Sequence, residues 1–171
     1  MSLHDKDVAY CEDQIKLLKK ENGTLISSVL RTSFDSLPSE DDKDSFINIA
    51  CFFVAMDRHV TETILQARNI NTSVMFRNLI DRCLLSIGWN NELVMHQLLQ
   101  EMGKFIVRKE SLDKPWKRSR LCCHDESLEV LKRKTGTKNI CGLILDTRML
   151  KNEKLRETSE LETNALSKMD V

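Results

Sequence analysis

At 171 residues the chain has room for one domain of ordinary size plus a tail or linker. Hydrophobic residues make up 41% and charged residues 30%, enough for a buried core and too apolar for a wholly disordered chain. Lys+Arg and Asp+Glu both total 26, so the basic excess of a protein that lives on nucleic acid is missing.

The first twenty-odd residues are polar around Ile15, Leu17 and Leu18 and predict a short helix ended by Asn22-Gly23. Leu25, Val29, Leu30, Phe34 and Leu37 form a helical apolar stripe that Pro38 stops. Ser39 is placed to cap the next helix, with Asp42 completing a capping-box pattern and Glu40, Asp41 and Asp42 on the positive end of its dipole. Phe46, Ile49, Ala50 and Phe53 follow at helical spacing as its buried face. A shorter helix centres on Val60, Ile64 and Leu65, and a fourth carries Phe76, Leu79, Ile80 and Cys83. Residues 84–87 and 92–95 then read as strands around the loop Gly88-Trp89-Asn90-Asn91, a β-hairpin. Leu98, Leu99, Met102, Phe105 and Ile106 mark another amphipathic helix. The basic run 114–120 is expected to be a solvated linker or a subdomain contact. A short helix with Leu128 and Leu131 follows, then a candidate strand over 140–145, and from Lys151 a polar tail expected to be disordered when isolated. The order of elements predicts a mainly α fold: a winged-helix-like helical bundle with one small β-hairpin and a short C-terminal strand.

The longest apolar run, 47–56, is interrupted by Asn48 and too short to cross a bilayer. The N-terminal residues lack the apolar segment of a signal peptide, so the expected location is cytosolic. Six cysteines without a CxxC pair fit free thiols, with Cys51 and Cys83 placed on apolar helix faces as small buried hydrophobes. Cys122-Cys123-His124 lacks the second ligand pair of a zinc site, because adjacent cysteines do not readily turn to one tetrahedral ion. No spacing suggests a nucleophile with its base or a pair of carboxylates with shifted pKa values.

Several motifs in register resemble one family. Residues 31–37 (RTSFDSL) are similar to the R-x-S-[FY]-D-x-L signature of plant resistance proteins, and 46–53 (FINIACFF) to their FLxIACFF. Residues 79–85 (LIDRCLL) resemble LxxRCLL, 95–103 (MHQLLQEMG) resemble MHDLLxxMG, 117–121 (KRSRL) match KRSRL, and 136–140 (GTKNI) match GTxxI. From about Tyr10 to Asp146 the chain is thus similar to the TIR-type NB-ARC-LRR disease resistance proteins of plants.

The resemblance implies that 1–23 ends the first ARC subdomain and that 24–112 is the winged-helix (second ARC) domain. It further implies that 113–150 is a linker toward leucine-rich repeats and 151–171 the polar start of those repeats. The GxxxxGK[ST] phosphate loop is not in this sequence, so the chain is expected to be a fragment and no enzyme by itself. ADP or ATP would matter only inside a full-length receptor. There His96, flanked by Met95 and Gln97, would face the β-phosphate of ADP; without the resemblance His96 reads as a helix N-terminal residue satisfied by backbone. Gln97 stands where the family has Asp, which implies either a weakened latch or a tolerated or decayed variant. Two further departures are Trp116, where glycine is common, and Cys122, where tryptophan is common.

The implied function is a regulatory module of a nucleotide-switched immune receptor, sensing the ADP state and passing on the defence signal. Its implied partners are the nucleotide-binding and repeat domains or whole receptors, with homo-oligomers on activation and neither membrane nor nucleic acid. The implied location is cytoplasmic, with the nucleus as an alternative. The competing readings are a truncated product that acts as an interaction partner or decoy, and a DNA-binding winged helix, which Arg77, Asp81 and Arg82 equip poorly.

Overall fold

Helix α1 (Gly23–Asp35) turns Phe34 into the core while Val29, on the expected apolar stripe, stays 60% exposed. The computed structural model describes residues 23–68, 70–146, 148 and 169; the helix expected before Gly23 and nearly all of the polar tail lie outside them. Helix α2 (Glu40–Asn48) starts as expected, with the Ser39 hydroxyl accepting the Asp42 N–H at 3.0 Å. The Asp42 carboxylate is buried and accepts from Asn78 Nδ2 at 3.0 Å, so a residue expected to serve a local cap also ties α2 to a later helix. Phe46 meets Phe34 with ring centroids 5.2 Å apart. After Asn48 the helix widens into a π-turn, Ile49–Phe53, that buries Ile49, Ala50 and Cys51.

Helix α3 (Arg58–Gln66) differs from expectation in which face is covered. Thr61 and Leu65 are buried, whereas Val60 and Ile64 are 50% and 42% exposed. On α4 (Thr72–Asp81), capped by Asn71, Met75, Phe76 and Leu79 are buried and Ile80 is exposed. Cys83 corrects the expectation of a buried thiol. It sits past the helix at φ 56°, with its own N–H on the Ile80 carbonyl and that of Leu84 on the Leu79 carbonyl. This is the left-handed cap that closes a helix, and it holds the Cys83 side chain in solvent.

Strands β1 (Ser86–Ile87) and β2 (Leu93–Val94) pair antiparallel as the expected hairpin, with Ile87 opposite Leu93. Asn91, at φ 61°, supplies the left-handed residue of its loop. The connection from the π-turn to α3 runs along the free edge of β2: Ala55 N–H donates to the Leu93 carbonyl at 2.8 Å and Leu93 N–H to that of Met56 at 2.9 Å. Helix α5 (Gln97–Glu110) crosses the π-turn at Gly103, where an added Cβ would come within 2.5 Å of the Ala50 Cβ. Phe105, expected on the inner face, is 52% exposed and carries Lys109 Nζ 5.0 Å from its ring centre. These helices and their hairpin enclose one core, from Phe34 to Val107, and the fold is a winged helix.

Beyond α5 come a 3-10 turn (Pro115–Lys117), β3 (Arg120–Leu121), α6 (His124–Lys132) and β4 (Gly142–Leu143). β3 and β4 pair in parallel with α6 as the crossover between them. Leu121, Val130 and Ile140 form a second small core, closed by Trp116, Leu143 and Met169. Trp116, at a position where the family often has glycine, is therefore a packing residue.

Candidate functional site

Met95, His96 and Gln97 lie where the hairpin hands over to α5, and each has a different environment. Met95 is buried in the main core, and its carbonyl accepts from Gln100 Nε2 at 2.9 Å. His96 is the N-cap: its exposed ring accepts the Leu98 N–H on Nδ1 at 3.2 Å, while its own carbonyl takes the N–H groups of Leu99 and Gln100. Gln97 is the exposed first residue of the helix. A ring whose Nδ1 accepts from the backbone carries its proton on Nε2. The cap thus turns Nδ1 to the backbone and leaves Nε2 pointing away from it, at the positive end of a 14-residue helix whose first turn holds no acidic residue. That arrangement can donate to one oxygen of an anion.

Asp57 anchors the other side of the hairpin. Its Oδ1 accepts the N–H of Val60 at 3.1 Å and of His59 at 2.8 Å, capping α3, and its Oδ2 accepts from Asn91 Nδ2 at 3.2 Å. The Val60 N–H first, and then the Asn91 amide, hold its carboxyl below the ordinary 3.8.

The basic run 114–120 divides by side-chain direction. Lys114 and Lys117 are exposed, as for a solvated linker, but Arg118 and Arg120 are buried. Arg118 donates to the carbonyls of Ser111 at 2.7 Å and Leu112 at 3.0 Å and pairs with Glu126 at 2.8 Å, fastening the end of α5 to α6. Arg120 reaches back to α2, donating to Asn48 Oδ1 at 2.6 Å and to the Asp44 carboxylate. Next to it, Cys51 and Cys122 are joined as a disulfide across 71 residues. Both had been expected to be free thiols, and the bond takes Cys122 out of any ligand set with Cys123 and His124. Phe52 completes the contact: a Cβ on Gly142 would come within 2.7 Å of its ring. Residues 44, 48, 51 and 52 share one helical face, so α2 and its π-turn present a single row of anchors to the β3–α6–β4 unit. Cysteines 71 residues apart carry no spacing signal; the visible hint was Cys122 in place of a bulky tryptophan.

Comparison with known proteins places this geometry. Residues 39–111 match the winged-helix domain of Roq1-like disease resistance proteins. The chain is 35% identical over 149 residues to disease resistance protein RUN1 of Vitis rotundifolia, covering 85% of this chain and 11% of that protein. It belongs to the TIR-type plant disease resistance proteins. Disease resistance protein RPS6 of Arabidopsis thaliana is 35% identical over 158 residues, 92% of this chain and 13% of its own length. TAO1, from the same plant, is 38% identical over 121 residues, 71% of this chain and 10% of its own. The chain thus spans only a small part of the disease resistance proteins it matches. Among the described residues, no helix is long and apolar enough to cross a membrane.

Proposed function

We propose that this chain acts as the regulatory module of a plant immune receptor, in which His96 reports bound ADP to the winged helix. The observation that carries the reading is the cap of α5. By accepting the Leu98 N–H, Nδ1 orients the ring and leaves Nε2–H to donate, so that structural and sensing roles fall on the two nitrogens of one imidazole. When bound, ADP supplies a diphosphate anion; this chain supplies a fixed donor and the helix dipole behind it. A charge-assisted hydrogen bond of this kind contributes roughly 1.5–3 kcal/mol, which is about 10- to 150-fold in favour of the nucleotide-bound state. Such a contact is a latch. It biases a conformational equilibrium and carries no chemistry.

Gln97 is the neighbour that sets the strength of the latch. An aspartate at the start of α5 would interact favourably with the helix dipole and with the imidazole, and glutamine does neither with charge. The test is to place residues 24–150 in the corresponding position of RUN1 and follow basal defence signalling in leaves. Gln97→Asp is expected to lower it and His96→Ala to raise it. Equal signalling from all three versions would remove the latch.

A further inference from the structure

The bond between Cys51 and Cys122 is a side-chain crosslink between the winged helix and the unit that follows, in addition to the chain itself. The Cα atoms are 5.2 Å apart, inside the range that a disulfide spans without backbone movement. The two residues differ in exposure. Cys51 is 6% exposed, whereas Cys122 is half-buried and lines a shallow surface depression together with Cys123, Lys104 and Arg108 of α5, Arg118, Arg120 and Glu126. Lys104, Arg118 and Arg120 pair with Glu101, Glu126 and Asp44, and Arg108 adds a further positive charge, which favours the approach of a small anionic reagent. The two neighbouring thiols are poor competitors. Burial pushes the Cys123 thiol up and keeps it protonated, and Cys141 donates its S–H to the Ser119 carbonyl at 3.1 Å.

We propose that Cys51 and Cys122 form a reversible redox-modification site, closed by an anionic low-molecular-weight disulfide of the glutathione class, that locks the β3–α6–β4 unit onto the winged helix. Cys122, as thiolate, attacks one sulfur of the glutathione disulfide. The reagent's S–S bond breaks, a mixed disulfide forms on Cys122, and the departing glutathione takes up the proton that Cys122 released. Cys51 then attacks the Cys122 sulfur, the mixed bond breaks, and the second glutathione leaves with the proton from Cys51. Two cysteine thiols are oxidised and one glutathione disulfide is reduced to two thiols. Where cellular thiols keep the surroundings reducing, such a bond is a switch and not a permanent staple. The inference does not rest on the nucleotide reading.

The experiment equilibrates the full 171-residue chain in glutathione buffers from reduced to oxidised, traps free thiols with iodoacetamide, and maps the bonded peptides. The expected result is a Cys51–Cys122 peptide that appears with oxidation, a melting temperature about 10 °C above that of the reduced chain, and slower amide exchange across residues 120–143. Cys122→Ser should abolish the redox-dependent shift, and Cys123→Ser should preserve it. If Cys51 and Cys122 are alkylated at every buffer ratio, if Cys51 pairs with Cys123 instead, or if both forms melt together, the proposal is overturned. The comparison of oxidised with reduced wild-type chain stands even where a variant does not fold.

Discussion

The winged helix and the β3–α6–β4 unit sit side by side but are held by different forces. Helices α1 to α5 enclose a continuous apolar core in which Phe46, Phe76, Leu79 and Leu93 are almost wholly removed from water. The following unit has only Leu121, Val130 and Ile140 at its centre, with Trp116, Leu143 and Met169 packed against them and Leu128 and Leu131 buried on α6. Burying a side chain of this kind contributes roughly 1.5–3 kcal/mol, which the conformational entropy of ordering thirty or so residues easily offsets. The smaller unit therefore depends on its anchors: the Arg120 network on Asp44 and Asn48, the Arg118 clasp, the Phe52 contact at Gly142 and the disulfide. A large core tolerates polar surroundings, while a small one borrows order from its neighbour. The difference predicts that damage to the first region spreads to both, and that damage to the anchors stays in the second.

The most severe break is Phe46→Ala. Its ring is fully buried and packs against Phe34, so its loss should cost about 3–5 kcal/mol and lower the urea midpoint of the whole chain. Both regions should then lose amide protection together. Arg120→Ala is the more selective change. Removing one partner of a fully buried pair costs several kcal/mol, but the Asp44 side chain is 43% exposed and can rehydrate, so the expected loss is nearer 2 kcal/mol. Hydrogen exchange should accelerate across residues 120–143 and stay unchanged in the core of 39–111. Equal acceleration in both would show that the two regions fold as one.

The smallest effect concerns acid. The carboxyl of Asp57 titrates below its ordinary 3.8 because the folded chain stabilises the carboxylate. A depressed value means that its contribution is complete above 3.8 and is lost as pH falls through the folded value. Asp57→Asn should therefore destabilise the hairpin and α3 at neutral pH, with the difference from wild type shrinking below 3.8. A difference that stays constant down to that range would assign the effect to packing instead of charge.

Helical periodicity and turn chemistry made most of the winged helix legible, including the Ser39 cap, the hairpin loop and the order of helices. Which face of a helix is covered was harder to read. Val60, Ile64 and Phe105 fit an apolar period yet point outward, because period alone does not say which of two adjoining stripes the rest of the fold covers. Cys83 was misread for a different reason: a residue at the end of a periodic run can be its left-handed cap, and composition does not distinguish the two. The anchors of the second unit were invisible as such. For Arg118 and Arg120 the sequence left a solvated linker and a subdomain contact open, since only distant residues, Asp44, Asn48 and Glu126, explain their burial. At the candidate site the resemblance pointed to His96, and the structure shows the role its place in the sequence suggested without that resemblance, a helix N-terminal residue satisfied by backbone.

The most direct measurement is the rate at which labelled ADP leaves RUN1 carrying residues 24–150 of this chain, compared with the same protein bearing His96→Ala. A latch through the imidazole should make release from the variant about 10- to 150-fold faster, with the far-ultraviolet spectrum unchanged. Identical release rates from two equally folded proteins would contradict a role for His96 in sensing the nucleotide, and would leave it as the cap of α5 alone.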